Sequence, residues 1–148
     1  MRESWEAYWM KTAELVASRS TCASGRKVGA VFVIDNRQLA TGVNGVPAGY
    51  KHPTTCPRRE QNIPSGHGLD LCVCAHAEAN GIANAARTGT KIHKAICYVT
   101  CQPCAACMGA LANVGVSKVI YGTPYPGVHA KQIAQQAGII LGRAGDGF

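Results

Sequence analysis

Two short segments of the chain carry residue types that together can bind a metal ion. His76 and Glu78 stand two positions apart, and Cys104 and Cys107 follow Pro103 further along. Cysteines three positions apart in the first turn of a helix project their sulfurs from one side. The partial positive charge of a helix N-terminus favours their thiolate form. With the histidine as third ligand, the pattern predicts a tetrahedral Zn²⁺ that keeps one position open, as catalytic zinc does.

The order of these residues is more specific than any one of them. His-x-Glu followed later by Pro-Cys-x-x-Cys is the known signature of zinc-dependent nucleobase deaminases, and the chain resembles them in His76-Ala77-Glu78 and in residues 103–107. A lone Cys-x-x-Cys is more often a redox pair, half of a structural metal site or plain packing. A thioredoxin-like interpretation is weak, because its Cys-x-x-Cys should open the first helix after an early strand.

Glu78 is predicted to be a proton shuttle and not a zinc ligand. It follows His76 too closely to reach the same ion easily, yet it can contact a water at the open position. We expect it to take a proton from that water, deliver it to N3 of a cytosine ring and later protonate the departing amine. The alternative is a glutamate that merely interacts favourably with a helix dipole.

Hydrophobic periodicity predicts the elements that must position these residues. The order α-β-β-α-β-α-β-α-β, with Asp35-Asn36-Arg37 as a hairpin turn, predicts one α/β domain over residues 1–148 with a mixed sheet and helices on both faces. Helices are expected at 3–18, 75–87, 103–114 and 128–137, and strands at 27–34, 39–43, 95–100, 117–121 and 138–141. The first helix is expected to bury one face with Trp5, Tyr8, Trp9, Ala13, Leu15 and Val16.

Composition limits the class of protein. Hydrophobic residues make up 47%, which supplies a core, and no apolar run approaches the roughly 20 residues that span a bilayer. The N-terminus lacks the apolar core of a signal peptide, so we expect no membrane association and a cytoplasmic location. In that reducing compartment, eight cysteines favour metal binding or catalysis over disulfides.

The charge of the chain favours an anionic partner. Lys and Arg total 15 against 8 Asp and Glu, a net charge of +7. A basic surface attracts nucleotides, nucleic acids or acidic membranes. The basic residues are scattered, without a stripe of interleaved aromatics, so we expect a small nucleotide and consider nucleic acid unsupported.

Most of the chain is similar to the cytidine and deoxycytidylate deaminase superfamily, and within it to the deoxycytidylate deaminases. This resemblance implies a three-layer α/β/α cytidine-deaminase-like fold, often a homo-hexamer, and hydrolysis of dCMP to dUMP and ammonia with zinc as cofactor. The similar segments are 20–33 (STCASGRKVGAVFV), 40–49 (ATGVNGVPAG), 56–65 (CPRREQNIPS), 71–82 (LCVCAHAEANGI), 98–107 (YVTCQPCAAC) and 114–121.

The resemblance also implies contacts with the nucleotide. Asn44 matches the family asparagine that holds the sugar, and Arg26 resembles a phosphate contact of the bidentate kind that guanidinium offers. The main chain at Ala77 would meet the pyrimidine edge, and Tyr121 resembles an aromatic near the nucleotide. The alternatives are that the asparagine forms a turn, that the arginine is a solvated charge and that the tyrosine lies in the core.

Val43 departs from the family pattern. Relatives usually have tyrosine immediately before the sugar-binding asparagine, in a stretch tied to regulation by nucleotides. The valine weakens the case for activation by dCTP and inhibition by dTTP.

A second, structural zinc would stabilise the irregular segment 44–71, which is rich in Gly, Pro, His and Arg and lacks periodic apolar residues. Cys22, Cys56 and Cys72 match cysteines of relatives that carry such a site. The fourth ligand would be His52, with His67 and Cys74 as alternatives. Buried free cysteines and surface histidines are the competing interpretation.

Two other functions compete with deamination of dCMP. Residues 103–110 also resemble tRNA adenosine deaminases, and the charge is compatible with RNA. Against this stand the segments 20–30 and 42–49 and the lack of a basic tail. The other rival is a zinc-stabilised binding module without activity, in which Glu78 would have no use.

Overall fold

The structure of the protein, a computed structural model, describes residues 1–147. Its longer elements lie within a few residues of the predicted ones, and two short helices occupy the segment predicted to be irregular. In chain order they are α1 (Trp5–Ala17), β1 (Gly29–Ile34), β2 (Arg37–Val43), α2 (Pro57–Glu60), a 3₁₀ helix (Leu69–Leu71), α3 (Ala77–Thr88), β3 (Ile96–Cys101), α4 (Ala105–Asn113), β4 (Lys118–Thr123), α5 (Val128–Ala137) and β5 (Ile140–Arg143).

The five strands form one mixed sheet in the order β2-β1-β3-β4-β5. β1 runs antiparallel to β2 and to β3, whereas β3, β4 and β5 are parallel. Asp35 and Asn36 form the hairpin turn, with φ of 50° and 55°, as the two-residue turn that suits strand twist requires. The predicted mixed sheet and hairpin are confirmed.

Each face of the sheet carries its own core. Val31 and Val33 of β1 face α1, and Ala30 and Phe32 face the opposite side, because successive side chains of a strand alternate. The larger core, on that opposite side, includes residues of α3, α4 and α5, such as Met108. Helices therefore cover both faces, and the predicted three-layer α/β/α fold is confirmed.

The buried face of α1 differs from the predicted one. Trp9, Ala13 and Ala17 form a stripe at intervals of four residues, joined by Met10. Of the six residues expected on the buried face, Trp5, Tyr8 and Leu15 are exposed. The backbone of Ala13 and Ala17 lies against Gly29, where a Cβ would clash. This close approach aligns the alanine stripe with the sheet and turns the other apolar residues outward.

Helix α3 lies directly on the edge strand β2. A Cβ on Gly42 would clash with the backbone of Ala77 and Gly81, so glycine permits this contact. Asn80 Nδ2 donates to Val43 O at 2.7 Å, which satisfies an edge carbonyl. These contacts locate the first turn of α3 relative to the sheet.

The segment between β2 and α3 is closed on itself by a two-way backbone bridge between Gly45, just after β2, and Ala75, just before α3. Within residues 1–147, no helix combines the length and apolar character needed to cross a bilayer.

Candidate active site

The beginning of α3 positions the His-x-Glu motif. His76 is the N-cap residue in an extended conformation, and its carbonyl accepts the Asn80 N–H at 2.9 Å. Ala77 and Glu78 occupy the first turn and are buried at 1% and 4% exposure. Main-chain N–H groups in the first turn of a helix have no partner within it. The amides of this turn are therefore available as donors to a ligand.

The beginning of α4 positions the two cysteines. Cys104 is the N-cap and Cys107 lies in the first turn. Pro103, predicted to begin this helix, lies just before the N-cap instead. His76 Nδ1 lies 3.5 Å from Cys104 Sγ and 3.3 Å from Cys107 Sγ. The structure thus brings the three predicted zinc ligands together.

This donor set fits zinc. Zn–S bonds near 2.3 Å and Zn–N bonds near 2.0–2.1 Å at a tetrahedral angle separate nitrogen from sulfur by about 3.6 Å. The two observed separations are close to this value, and all three ligand atoms lie within 4.8 Å of one another. One nitrogen and two sulfurs are also the ligand types that zinc prefers.

The protein groups alone favour a charged arrangement of these ligands. Hydrogen bonds from Cys107 and then His76 lower the pKa of the Cys104 thiol to about 3, although burial opposes this. The same contact with Cys104 raises the pKa of His76. It also raises the pKa of the Cys107 thiol, as burial does. These contacts therefore favour the thiolate at Cys104 and the protonated forms of His76 and Cys107.

Glu78 lies beside this cluster in a buried position. Burial raises the pKa of its carboxyl, while its own backbone N–H and the His76 charge act in the opposite direction. The nearby Cys107 side chain also lowers this pKa. A carboxyl group with a raised pKa can hold and release a proton nearer neutral pH.

The cluster lies in a cavity of about 410 Å³, within the range of small-molecule sites. Asn44, Arg26 and Ala77 line it, as the nucleotide contacts predicted from the resemblance should. The cavity is bounded on one side by the segment after β2 and on another by the loop after β4. This location matches the rule that sites of open α/β sheets form at the carboxyl ends of strands.

Asn44 is 7% exposed, and both ends of its amide already bind main chain. Its Nδ2 donates to Arg26 O and its Oδ1 accepts from Val28 N, each at 2.8 Å. The asparagine therefore orients the backbone that carries Arg26. One further hydrogen bond remains available at each end, since a primary amide has two donors and two lone pairs.

Arg26 is held at the cavity by two neighbours. Its Nη2 donates to Cys101 Sγ at 3.0 Å. Its guanidinium lies over the ring of Tyr125, 5.7 Å from the centroid, in a cation–π contact.

Tyr121 lies elsewhere. It is a residue of β4 packed against the larger core, whereas Tyr125, in the loop after β4, lines the cavity. Tyr121, which the resemblance places near the nucleotide, is therefore not among the residues that line this cavity. Sequence reasoning also missed Gln102, a buried residue of the cavity wall. The available signal was position: both missed residues follow parallel strands at their carboxyl ends.

Only some of the predicted ligands of a second metal line the same cavity. Cys22, Cys56, Cys72 and Cys74 line a smaller cavity of about 190 Å³, and His52 is not among its lining residues. Of all His, Cys, Asp and Glu side chains in residues 1–147, only those of His76, Cys104 and Cys107 bring three ligand atoms within 4.8 Å of one another.

The thiols beside this smaller cavity nevertheless interact. Burial and then a hydrogen bond with Cys22 raise the pKa of the Cys74 thiol. Burial raises the pKa of Cys22, but hydrogen bonds with Ser24 and Cys74 outweigh it and lower the net value. The structure therefore favours Cys74 over His52 as the fourth member of the set.

Comparisons with known proteins agree with the site. The chain is 38% identical over 143 residues to a deoxycytidylate deaminase of Schizosaccharomyces pombe, covering 95% of this chain but only 44% of that protein. It is 40% identical over 125 residues to one of Mycobacterium phage D29, covering 81% and 95% of the two chains. The chain thus spans less than half of the yeast relative and nearly all of the phage one.

A solved structure and a family model also match this chain. The crystal structure of the dCMP deaminase of cyanophage S-TIM5 in complex with dCMP and dUMP superposes with a TM-score of 0.78 at 28% identity, covering 97% of this chain and 98% of that one. Residues 3–123 match the model of the cytidine and deoxycytidylate deaminase zinc-binding region. The chain therefore belongs to the cytidine and deoxycytidylate deaminase family.

Proposed function

We propose that the protein hydrolyses dCMP to dUMP and ammonia. The observation that carries this proposal is the buried Glu78 beside the His76–Cys104–Cys107 cluster, inside a cavity of nucleotide size. A structural metal site has no need of a buried carboxyl next to its ligands. The yeast and phage relatives named above and the S-TIM5 enzyme support dCMP as the substrate.

The residues divide the reaction between them. His76, Cys104 and Cys107 would hold the zinc. When bound, zinc supplies a Lewis acid that lowers the pKa of water at its open position. Glu78 accepts the proton of the attacking water and passes it to ring N3. The water oxygen thereby attacks C4 and the C4–O bond forms. Glu78 then moves the remaining hydroxyl proton to the amino group, the C4 oxygen becomes a carbonyl, the C4–N bond breaks and ammonia leaves.

The remaining wall residues recognise the nucleotide. Main-chain groups at Ala77 meet the pyrimidine edge, Asn44 offers its free amide positions to the sugar, and Arg26 meets the phosphate. The cation–π contact with Tyr125 supports the last assignment, because it aims the guanidinium at the cavity.

Neither rival function gains support from a specific feature. A tRNA adenosine deaminase needs a surface for a folded RNA, and the basic residues of this chain are scattered. A binding module without activity leaves the buried Glu78 unexplained, since burial of an unused carboxyl is costly.

Replacement of Glu78 with glutamine tests the proposal. We expect turnover of dCMP, followed by loss of cytosine absorbance, to fall by at least about 100-fold while zinc stays bound. CMP, dCTP, deoxycytidine and a tRNA anticodon stem-loop would be assayed in parallel with the wild type. A variant that retains zinc and activity would refute the shuttle, and a preference for the RNA would refute the substrate.

A second zinc is proposed for Cys22, Cys56, Cys72 and Cys74, which line the smaller cavity. It would stabilise the long segment before α3. Elemental analysis should find two zinc ions per chain in the wild type and one in Cys22→Ser. The control Cys97→Ala, in the core, should keep both. One zinc in the wild type would contradict the proposal.

We also propose a cytoplasmic homo-oligomer. All eight cysteines are free, as expected in a reducing compartment. Trp5, Tyr8 and Leu15 expose apolar surface on the outer side of α1, which supports self-association.

A further inference from the structure

Gln102 is a buried polar residue to which neither family resemblance nor mechanism gives a role. It follows β3, directly precedes Pro103 and the ligand Cys104, and is 3% exposed. Its Nε2 atom is buried and has no partner among the described residues. An unpaired buried donor costs about 1–3 kcal/mol. A methionine of similar size would avoid this cost, so the other end of the amide needs an explanation.

The Oε1 end of the Gln102 side chain continues the hydrogen bonding of the sheet beyond the last regular pair of β3 and β4. The β3–β4 ladder ends with Cys101 opposite Thr123, and Gln102 N then donates to Thr123 O at 2.9 Å. In a regular parallel ladder, Tyr125 N would next donate to the main-chain carbonyl of Gln102. Instead it donates to the side-chain Oε1 at 3.5 Å. The side-chain carbonyl therefore substitutes for the backbone one.

This substitution determines where the loop after β4 lies. Tyr125 is held by its main chain at the end of the sheet, and its ring lines the cavity. The Arg26 guanidinium rests over that ring and donates to Cys101 Sγ. Gln102, Tyr125 and Arg26 thus form a continuous chain of contacts along one wall.

We propose that Gln102 is a positioning residue for the phosphate end of the substrate. Its Oε1 holds Tyr125, and through Tyr125 it holds the Arg26 guanidinium at the cavity. The inference rests on the proposed function, in which Arg26 meets the phosphate. Gln102 takes no part in the proton transfers assigned to Glu78, so its loss should affect binding of the phosphate and leave the chemical step intact.

Three variants of Gln102 test this inference. Gln102→Met removes the acceptor at nearly constant volume, Gln102→Asn withdraws it by one methylene, and Gln102→Glu keeps an acceptor oxygen. We expect the first two to raise KM for dCMP by about 10-fold, the effect of one lost hydrogen bond plus misplacement. We expect kcat to stay within about twofold. The glutamate variant keeps the acceptor but buries a carboxyl, so it should retain the KM of wild type with a lower thermal transition.

Inhibition by dUMP and by deoxyuridine separates the phosphate contribution to binding from that of the rest of the nucleotide. Gln102→Met should weaken inhibition by dUMP by the same factor and leave inhibition by deoxyuridine unchanged. In a Tyr125→Ala background the effect of Gln102→Met should disappear, because residues that act through one another are not additive.

Several results would overturn the inference. They are equal loss with dUMP and deoxyuridine, a fall in kcat at constant KM, or additive effects of the two substitutions. If Gln102→Met does not fold, Gln102→Asn replaces it. This variant, alone and combined with Tyr125→Ala, gives the same comparison. An inactive, zinc-loaded wild type would refute the proposed function instead, and is distinguishable from all of these results.

Discussion

Contacts with the Cys104 sulfur favour a proton on His76 and on Cys107, and a metal that binds all three groups must displace these protons. The pKa values of His76 and Cys107 are raised by their contacts with Cys104. Zinc binds neutral imidazole and thiolate, so binding releases these protons.

Zinc affinity should therefore rise with pH. Below the raised pKa of His76 two protons leave per ion, and the apparent affinity should increase about 100-fold per pH unit. Above it only the Cys107 proton leaves, and the slope should fall to about 10-fold per unit. Competition with a chelator of known affinity between pH 6 and 8 measures this slope. An affinity independent of pH would contradict the assignment of protons.

Arg26 should determine the preference for a phosphorylated substrate. Arg26→Gln removes a charged hydrogen-bond donor worth about 1.5–3 kcal/mol, so KM for dCMP should rise roughly 10- to 100-fold. Inhibition by deoxyuridine should not change. Arg87→Gln, at the end of α3 and remote from the cavity, is the matched control. A similar KM in both variants would exclude the phosphate contact.

Residues with a fixed local geometry were predictable from the sequence. His76, Cys104 and Cys107 stand at helix beginnings, where spacing alone determines direction, and the structure brings them together. Tyr121 lies within β4, and Tyr125 lies two residues after its end. Periodicity locates such an end only to within a few residues, so it could not choose between them.

At the scale of elements, the contact of α3 with β2 controls the position of the active-site motif. Gly42→Ala would insert a methyl group against the backbone of Ala77 and Gly81. Backbone cannot yield as a flexible side chain does, so we expect a loss of about 1–3 kcal/mol in unfolding free energy. Activity should fall further, because displacement of Glu78 by about 1 Å can cost 100-fold.

Gly109→Ala is the matched control for this change. Gly109 lies inside α4, and its added Cβ would have open space. Alanine should stabilise the helix by about 0.5–1 kcal/mol and preserve activity. Urea denaturation and dCMP kinetics on both variants provide the measurements. Equal stability of Gly42→Ala and wild type would mean that the helix is not held by this contact.

The positions of elements with strong periodicity were predictable from the sequence. Which of their faces is buried was less predictable. The apolar run of β1 and the hairpin at Asp35-Asn36 led directly to the observed strands. In α1 the sequence has more apolar residues than one face can bury. The choice among them depends on Gly29, which is distant in sequence and lies under Ala13 and Ala17.

At the scale of the molecule, the mixed three-layer architecture followed from element order, because a hairpin followed by β-α units has few right-handed arrangements. The path of residues 44–76 could not be predicted from element order. Their contacts are single bridges and side-chain bonds, such as Arg58 to His67 O at 2.8 Å and Gly45 to Ala75. Such contacts leave no periodic signal in the sequence.

The outer side of α1 should mediate assembly of the whole protein. Trp5 and Leu15 are 53% and 72% exposed, and Tyr8 packs edge-on against the Trp5 ring. Burial of this surface between copies would contribute about 25 cal/mol per Å² of apolar area. Two charges on the same side of the helix should prevent it, because an unpaired buried charge is costly.

We therefore expect Trp5→Glu combined with Leu15→Glu to sediment as a smaller species than the wild type, with its zinc content and thermal transition retained. Ile140→Glu, a change at a 57% exposed apolar residue of β5, is the matched control and should leave the assembly intact. Analytical ultracentrifugation at several concentrations distinguishes the species. Dissociation by the β5 variant alone would move the interface to the opposite edge of the sheet from β2, and an unchanged mass in both would exclude either surface.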